Sequence, residues 1–176
     1  MRSGARGLIV TVALVLSLAP LSVTAQPPKL EGSYLLDARA SDDVHKAIDE
    51  AVAEMSGLRR PFARLRLREV NQPPQRIDVV ITGTEASITT DERDVIRTPT
   101  DGKPVAWKKD DGEEFTIRTT WDTRTLRRTF HAGDGERANT YEFSPDGSTL
   151  TMRVVLTSPQ LPAPLTYALV YRRAAP

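Results

Sequence analysis

Ser144-Pro145-Asp146-Gly147-Ser148-Thr149-Leu150-Thr151-Met152-Arg153-Val154-Val155-Leu156 is a turn running into a strand. Asp146-Gly147 tolerates the left-handed backbone of a tight turn. Leu150, Met152, Val154 and Leu156 then alternate with Thr149, Thr151, Arg153 and Val155, so a pleated strand puts one apolar row on one face and a polar row on the other.

The same pattern extends in both directions. Downstream, the proline-rich link Pro159 to Pro164 precedes Leu165, Tyr167, Leu169 and Tyr171. Upstream, Leu126 and Phe130 lead through a turn at His131 to Gly135 into Asn139, Tyr141 and Phe143. Before those come Val105 and Trp107, the break at Asp111-Gly112, and Phe115, Ile117 and Trp121. Further back still, Ile77, Val79 and Ile81 turn at Gly83 into Ala86 and Ile88, and Asp91-Glu92 leads to Val95. With a first strand over Gly32 to Asp37, in which Tyr34 and Leu36 share a face, the count is roughly ten strands.

Between the first and second strands the period changes. Ser41, Asp42 and Asp43 offer an N-cap and an acidic first turn, and Val44, Ala47, Ile48, Ala51, Val52 and Met55 follow at helical spacing, with Gly57 placed to end the helix. Pro61 to Val70 is expected to form a second helix, its faces marked by Phe62, Leu65, Glu69 and Val70, although Arg64-Leu65-Arg66-Leu67-Arg68 also alternates like a strand. Asn71, Pro73 and Pro74 then break the chain.

A long antiparallel sheet with one greasy face has two exposed edges, and closing it into a barrel removes both problems. The expected fold is therefore all-β with a helical insertion: an antiparallel up-and-down barrel of about eight to ten strands, spanning 32–173, with a helix or helix pair as a cover over 41–70. About ten strands should leave an internal cavity.

Ahead of the barrel, Arg2 and Arg6 precede the apolar run Leu8 to Ala19, then Pro20 and the small residues Val23 and Ala25. This is the layout of a secretory signal peptide over residues 1–25, with 26–31 as a linker. The run is shorter than the roughly 20 residues of a membrane span. A periplasmic or secreted protein is expected, with cleavage near Ala25. There is no cysteine, hence no disulfide framework and no thiol for lipid attachment. The chain has 24 basic and 23 acidic residues, and loss of Arg2 and Arg6 with the signal leaves 22 basic. That balance argues against nucleic-acid binding, which needs a basic surplus.

The layout resembles the calycin superfamily, specifically lipocalin-like and fatty-acid-binding-protein-like barrels. The marks are Gly32-Ser33-Tyr34-Leu35-Leu36, a helical insertion after the first strand, meander hairpins, the Ser144-Pro145-Asp146-Gly147 turn and a closing Val170-Tyr171-Arg172. Tyr34 stands where lipocalins carry Trp. The Arg-x-Tyr arrangement that grips fatty-acid carboxylates is absent from the last strand, where Tyr171 precedes Arg172. The resemblance implies a small apolar or amphipathic, lipid-like ligand inside the barrel.

Candidate ligand-binding residues follow from strand phase. Arg128 shares the apolar phase with Leu126 and Phe130, so an intact strand aims its guanidinium inward, where an anionic ligand could pair with it. The alternatives are a β-bulge that turns it outward, or an ion pair with a residue such as Glu142. Asn139, Tyr141, Tyr167 and Tyr171 are in the same phase and would add hydrogen-bonding points, or be satisfied core groups. Trp121 and Phe115 are candidate wall residues, or ordinary core. Arg59, Arg60, Arg64, Arg66 and Arg68 crowd the cover, where they could draw anionic lipids or ligand heads, or form a solvated face.

Little points to catalysis. His45 and His131 lack metal-ligand spacing, and no Gly-x-Ser-x-Gly elbow, phosphate loop or dinucleotide fingerprint occurs. Asp110, Asp111, Glu113 and Glu114 around Gly112 lack the alternation of a calcium loop and read as a solvated hairpin tip. No metal and no cofactor is expected. The expectation is an exported small-molecule-binding protein; the alternatives are an envelope interaction module with a filled barrel and an enzyme acting on a lipid-like substrate.

Overall fold

The computed structural model describes residues 30–91, 95–109, 112–133 and 135–175. The proposed signal segment, Glu92, Asp110 and Asp111 lie outside these. The described residues form ten antiparallel strands and two helices: β1 (Gly32–Leu36), α1 (Val44–Ala51), α2 (Arg60–Val70), β2 (Arg76–Ile81), β3 (Glu85–Thr90), β4 (Ile96–Pro99), β5 (Val105–Lys108), β6 (Glu114–Asp122), β7 (Thr125–Ala132), β8 (Gly135–Phe143), β9 (Thr149–Thr157) and β10 (Leu165–Arg173). The sheet order β4-β3-β2-β1-β10-β9-β8-β7-β6-β5 is a meander whose first and last long strands meet, since β1 pairs with β10.

Closure is nearly complete. The outer edge of β6 is shared: β5 pairs with Glu114 to Ile117, while the chain leaving β4 pairs lower down. There the Trp121 N–H donates to the Thr100 carbonyl (3.2 Å), the Gly102 N–H donates to the Thr119 carbonyl (2.9 Å), and Asp101 bridges Thr120. The interior phase of β4 is Ile96 and Thr98, not Val95, which is half exposed. A one-residue shift inverts every side chain in a strand, and here the shift brings the Thr98 hydroxyl inside, where it has partners.

At the end away from the helices, Tyr34 fills the floor with Phe143, ring centroids 5.8 Å apart. The Arg173 guanidinium lies 4.9 Å over the Tyr34 ring and donates to its hydroxyl (2.7 Å), to the Gly147 carbonyl and to the Glu31 carbonyl. Gly32 is required here: its φ is +142°, and a Cβ would sit 2.7 Å from Arg173 Nη1.

The helix pair covers the other end. Asp43 caps α1, accepting from the His45 and Lys46 N–H groups at 2.9 and 3.1 Å. The helix is shorter than its periodicity suggested. Val52 is the C-cap and Met55 lies in the following turns, where Ala53 N–H bonds back to Glu50 and Met55 N–H to Val52; Gly57 does not end the helix. Residues 61–70 are helical, but the expected face is wrong. Leu67 is the buried residue of α2, with Ala63 beside it, whereas Leu58, Phe62 and Leu65 are 87, 77 and 69 % exposed. Ala63 and Leu67 are four apart, and that stripe rests on the barrel end, so Phe62 and Leu65 point the other way. Among the described residues no helix is long and apolar enough to cross a membrane.

In the turn between β8 and β9, the Asp146 carboxylate accepts from the Ser144 hydroxyl (2.6 Å), the Ser148 N–H (3.0 Å) and the Ser148 hydroxyl (2.9 Å). Led by the Ser144 bond, these hold its pKa down at about 2, from 3.8. The depressed value makes the turn's contribution fully present above the unfolded pKa and lost as pH falls through the folded one. An NMR titration should find Asp146 still ionised when ordinary aspartates have protonated, with the 144–149 amide shifts moving around pH 2.

Candidate functional site

Strand register sets a polar row across the barrel. Thr119 lies opposite Arg128, Arg128 opposite Asn139, Asn139 opposite Val154 and Val154 opposite Tyr167. The pairing of β7 with β8 runs unbroken from Thr125–Glu142 to Ala132–Gly135, so no bulge turns Arg128 away. Glu142 pairs outside with Arg153 at 3.1 Å.

Arg128 is 1 % exposed. Its Nε donates to the Thr119 hydroxyl (3.1 Å); its Nη2 donates to the Thr98 hydroxyl (3.0 Å), the Ala86 carbonyl (3.2 Å) and the Ile96 carbonyl (3.3 Å). Thr98 and Thr119 also bond each other at 2.7 Å. The side chain therefore reaches from β7 past β6 to β3 and β4, across the seam where the sheet closes. Every acceptor is neutral, and no carboxylate pairs with it among the described residues. Burial lowers its pKa, with Tyr141 acting the other way, but a guanidinium starting from so high a value stays cationic.

Asn139 Nδ2 donates to the Tyr141 hydroxyl at 3.4 Å. Tyr167 donates to Asn71 Oδ1 at 3.1 Å, and burial raises its pKa against the opposing charge of Arg137. Tyr171 is 0 % exposed and its hydroxyl makes no hydrogen bond. Burial, reinforced by Tyr141 and Tyr167, pushes that phenol far up, so it remains a neutral donor without an acceptor.

Arg137 was missed, although it stands two residues before Asn139 and so in the same phase. Its Nε donates to Asn139 Oδ1 (2.9 Å), its Nη2 to the Tyr167 hydroxyl (3.2 Å), and its Nη1 to Asn71 Oδ1 (2.9 Å) and the Val70 carbonyl (3.3 Å). Strand phase applied without a preference for apolar residues would have found it.

The structure thus brings together Arg128, Asn139, Tyr141, Tyr167 and Tyr171 inside the barrel. It separates the two wall candidates. Trp121 packs edge-on against Phe143 at 6.0 Å near the floor, and Phe115 lies against Trp107 at 5.6 Å on the rim. His45 and His131 are exposed.

The roomy centre expected from the strand count is closed. Tyr34, Tyr171, Leu126, Leu150, Ile48 and Ile77 expose nothing, so no water-sized space touches them. Two hollows, both open to solvent, lie toward the helical end of the barrel. One of about 400 Å³ is bordered by Trp107, Phe115 and His131, and one of about 300 Å³ separates Met55 and Arg59 from the Pro159–Pro162 loop.

Replacing Thr119 with Val leaves Arg128 Nε without an acceptor and strips Thr98 of its hydroxyl partner. Urea denaturation should show a loss of about 2 kcal/mol, the cost of a buried donor left unmade.

No family model and no curated protein matches the chain. Solved structures do resemble it. A structure titled "REP1-NXSQ fatty acid transporter" aligns over 84 % of this chain and 97 % of its own at TM-score 0.54 and 15 % identity. Human cRBP IV aligns over 84 and 100 % at 0.51 and 16 %. A Schistosoma mansoni fatty acid binding protein in complex with arachidonic acid aligns over 83 and 96 % at 0.51 and 14 %. Identities this low speak to architecture alone: the chain shares the calycin-like fold of these structures, a nearly closed ten-stranded antiparallel barrel.

Proposed function

We propose that this is an exported, non-catalytic carrier that holds an amphipathic, lipid-like molecule in its barrel. The observation that carries the reading is Arg128: a buried cation bonded to neutral acceptors alone, with the unpartnered Tyr171 hydroxyl also inside the barrel. A cation is costly to bury without a counter-charge and a phenol without a partner, and such costs are kept where a ligand meets them. The fatty-acid and arachidonate names of the structural neighbours agree with this reading. Export rests on the order Arg2, Arg6, apolar run and Ala25 in the sequence.

Tyr171→Phe separates a ligand group from a core group. The substitution removes an unsatisfied hydroxyl, so the ligand-free protein should gain about 1 kcal/mol in urea. Affinity for a lipid that copurifies with the protein should fall about fivefold, the value of one hydrogen bond to an acceptor inside the barrel. Native mass spectrometry of protein purified from its own envelope should show a lipid adduct, and absence of both adduct and fatty-acid thermal shift would defeat the carrier reading. Intact mass of protein made with its own N-terminus should correspond to a chain beginning at Gln26.

A second reading has its own observation. Leu58, Phe62 and Leu65 form one exposed stripe on and just before α2, beside Arg59 and Arg66. Large apolar residues grouped and exposed mark contact surfaces. In this reading the barrel is filled and α2 meets an apolar, acidic partner in the envelope.

A further inference from the structure

We infer that the last turn of α2 occupies the ligand's place, and that an amphiphile binds by exchange: its acidic head replaces Asn71 and Val70 on Arg137, and its chain replaces Leu67. This rests on the carrier reading above and adds to it the charge of the ligand, the residue that receives it and the element it displaces.

The inference begins from what α2 puts into the barrel. Its buried side chain is Leu67, and four residues later its cap, Asn71, is 1 % exposed. Leu67 is part of the core, while Asn71 Oδ1 accepts from both Arg137 Nη1 and Tyr167. The Val70 carbonyl, freed because the helix ends there, accepts from the same Nη1. An apolar branch beside an oxygen pair held by a guanidinium and a phenol has the chemistry of a fatty acyl chain with its carboxylate.

The barrel side of this contact is fixed and apolar. Arg137 lies opposite Phe130 on β7 and Leu156 on β9, and Leu156 lies opposite Leu165 on β10. Arg137 keeps Asn139 and Tyr167 as partners wherever α2 goes, because all three sit on strands. Its two other acceptors leave with α2. All four acceptors are neutral, and no carboxylate pairs with Arg137 among the described residues. A carboxylate makes charge-assisted, two-pronged bonds to such a group, roughly twice as strong as those to an amide or peptide oxygen. An anionic head therefore outcompetes the cap, whereas an alcohol of the same length does not.

The closed centre explains why exchange is needed. The side chains of the floor and centre expose almost nothing, so a ligand entering from the helical end takes its volume from the cover. Leu67 and Asn71 are the parts of α2 whose withdrawal opens apolar space and exposes a waiting cation together. Occupancy and opening are then linked, and apparent affinity is reduced by the fraction of molecules in which the cover is closed.

Dodecanoate and dodecanol are the probes, with hydrogen exchange along α2 and calorimetric affinity as readouts. In the wild type, saturating dodecanoate should speed exchange at residues 67–71, although ligands usually slow it, and should bind at least tenfold tighter than dodecanol. Asn71→Ala should speed the same exchange without ligand and tighten dodecanoate about fivefold, by removing the competitor. Arg137→Met should bind both probes alike; should it fail to fold, Asn71→Ala carries the test alone. Retained preference for dodecanoate in Arg137→Met overturns the inference, as does Asn71→Ala with unchanged exchange and affinity, while the carrier reading survives either result. Failure of the wild type to bind either probe removes the carrier reading and the exchange together.

Discussion

A sheet that closes on itself must join its two edges, and in this barrel, where β4 is one edge and β5 the other, the join is uneven. β5 covers the upper part of the β6 edge, and the chain leaving β4 covers the lower part. Polar groups beside the gap between β4 and β5, the Ile96 carbonyl and the Thr98 and Thr119 hydroxyls among them, need partners inside the barrel. Arg128 supplies them. Its guanidinium bonds Ile96 and Ala86 on one side of the seam, and Thr119 on the other, with Thr98 between. The rest of the interior is arranged around this strut: Thr98 and Thr119 turn inward to meet it, and Asn139 stands opposite it in the ladder.

The two helices are held by different means, which decides which of them can move. α1 buries Val44, Ile48 and Ala51, with Val52 at its cap, and burial of each larger side chain is worth on the order of 1.5–3 kcal/mol. α2 buries Leu67. Beyond Leu67 and the small Ala63 its ties are polar: Asp49 with Arg64 at 2.7 Å and Arg68 at 3.4 Å, both half exposed, and the Arg137 contacts at its end. Exposed pairs of that kind contribute at most about 1 kcal/mol each. α1 is therefore part of the core and α2 a cover resting on it, which suits the end of the barrel where a molecule would enter.

Much of the fold was legible because strand phase is a local property. The Asp146-Gly147 turn and the alternation from Leu150 to Leu156 read directly into β9, and the inward direction of Arg128 followed from the same rule. Where reading failed, the deciding partner was distant. β4 faces Ile96 and Thr98 inward because Arg128, thirty residues away, needs the hydroxyl; Val95 gives no sign of this. Phe62 and Leu65 look like the core face of α2 by hydrophobicity, yet Ala63 and Leu67 take that role because the helix lies close against α1 and the barrel rim. Arg137 was passed over although its phase matched that of Asn139, because apolar residues mark a strand's inward row and β8 opens on Gly135-Glu136-Arg137 without one.

By itself the sequence determined the succession of elements, the alternation of every long strand and the inward direction of Arg128, Asn139, Tyr141, Tyr167 and Tyr171. These depend on periodicity and turn chemistry within a few residues. Tertiary structure decided that the centre is packed rather than hollow, that Arg128 spans the seam, and that the end of α2 sits on Arg137. Volume and hydrogen-bond satisfaction in a closed barrel are set by residues 30 to 70 positions apart in the chain. No local pattern records whether such residues meet.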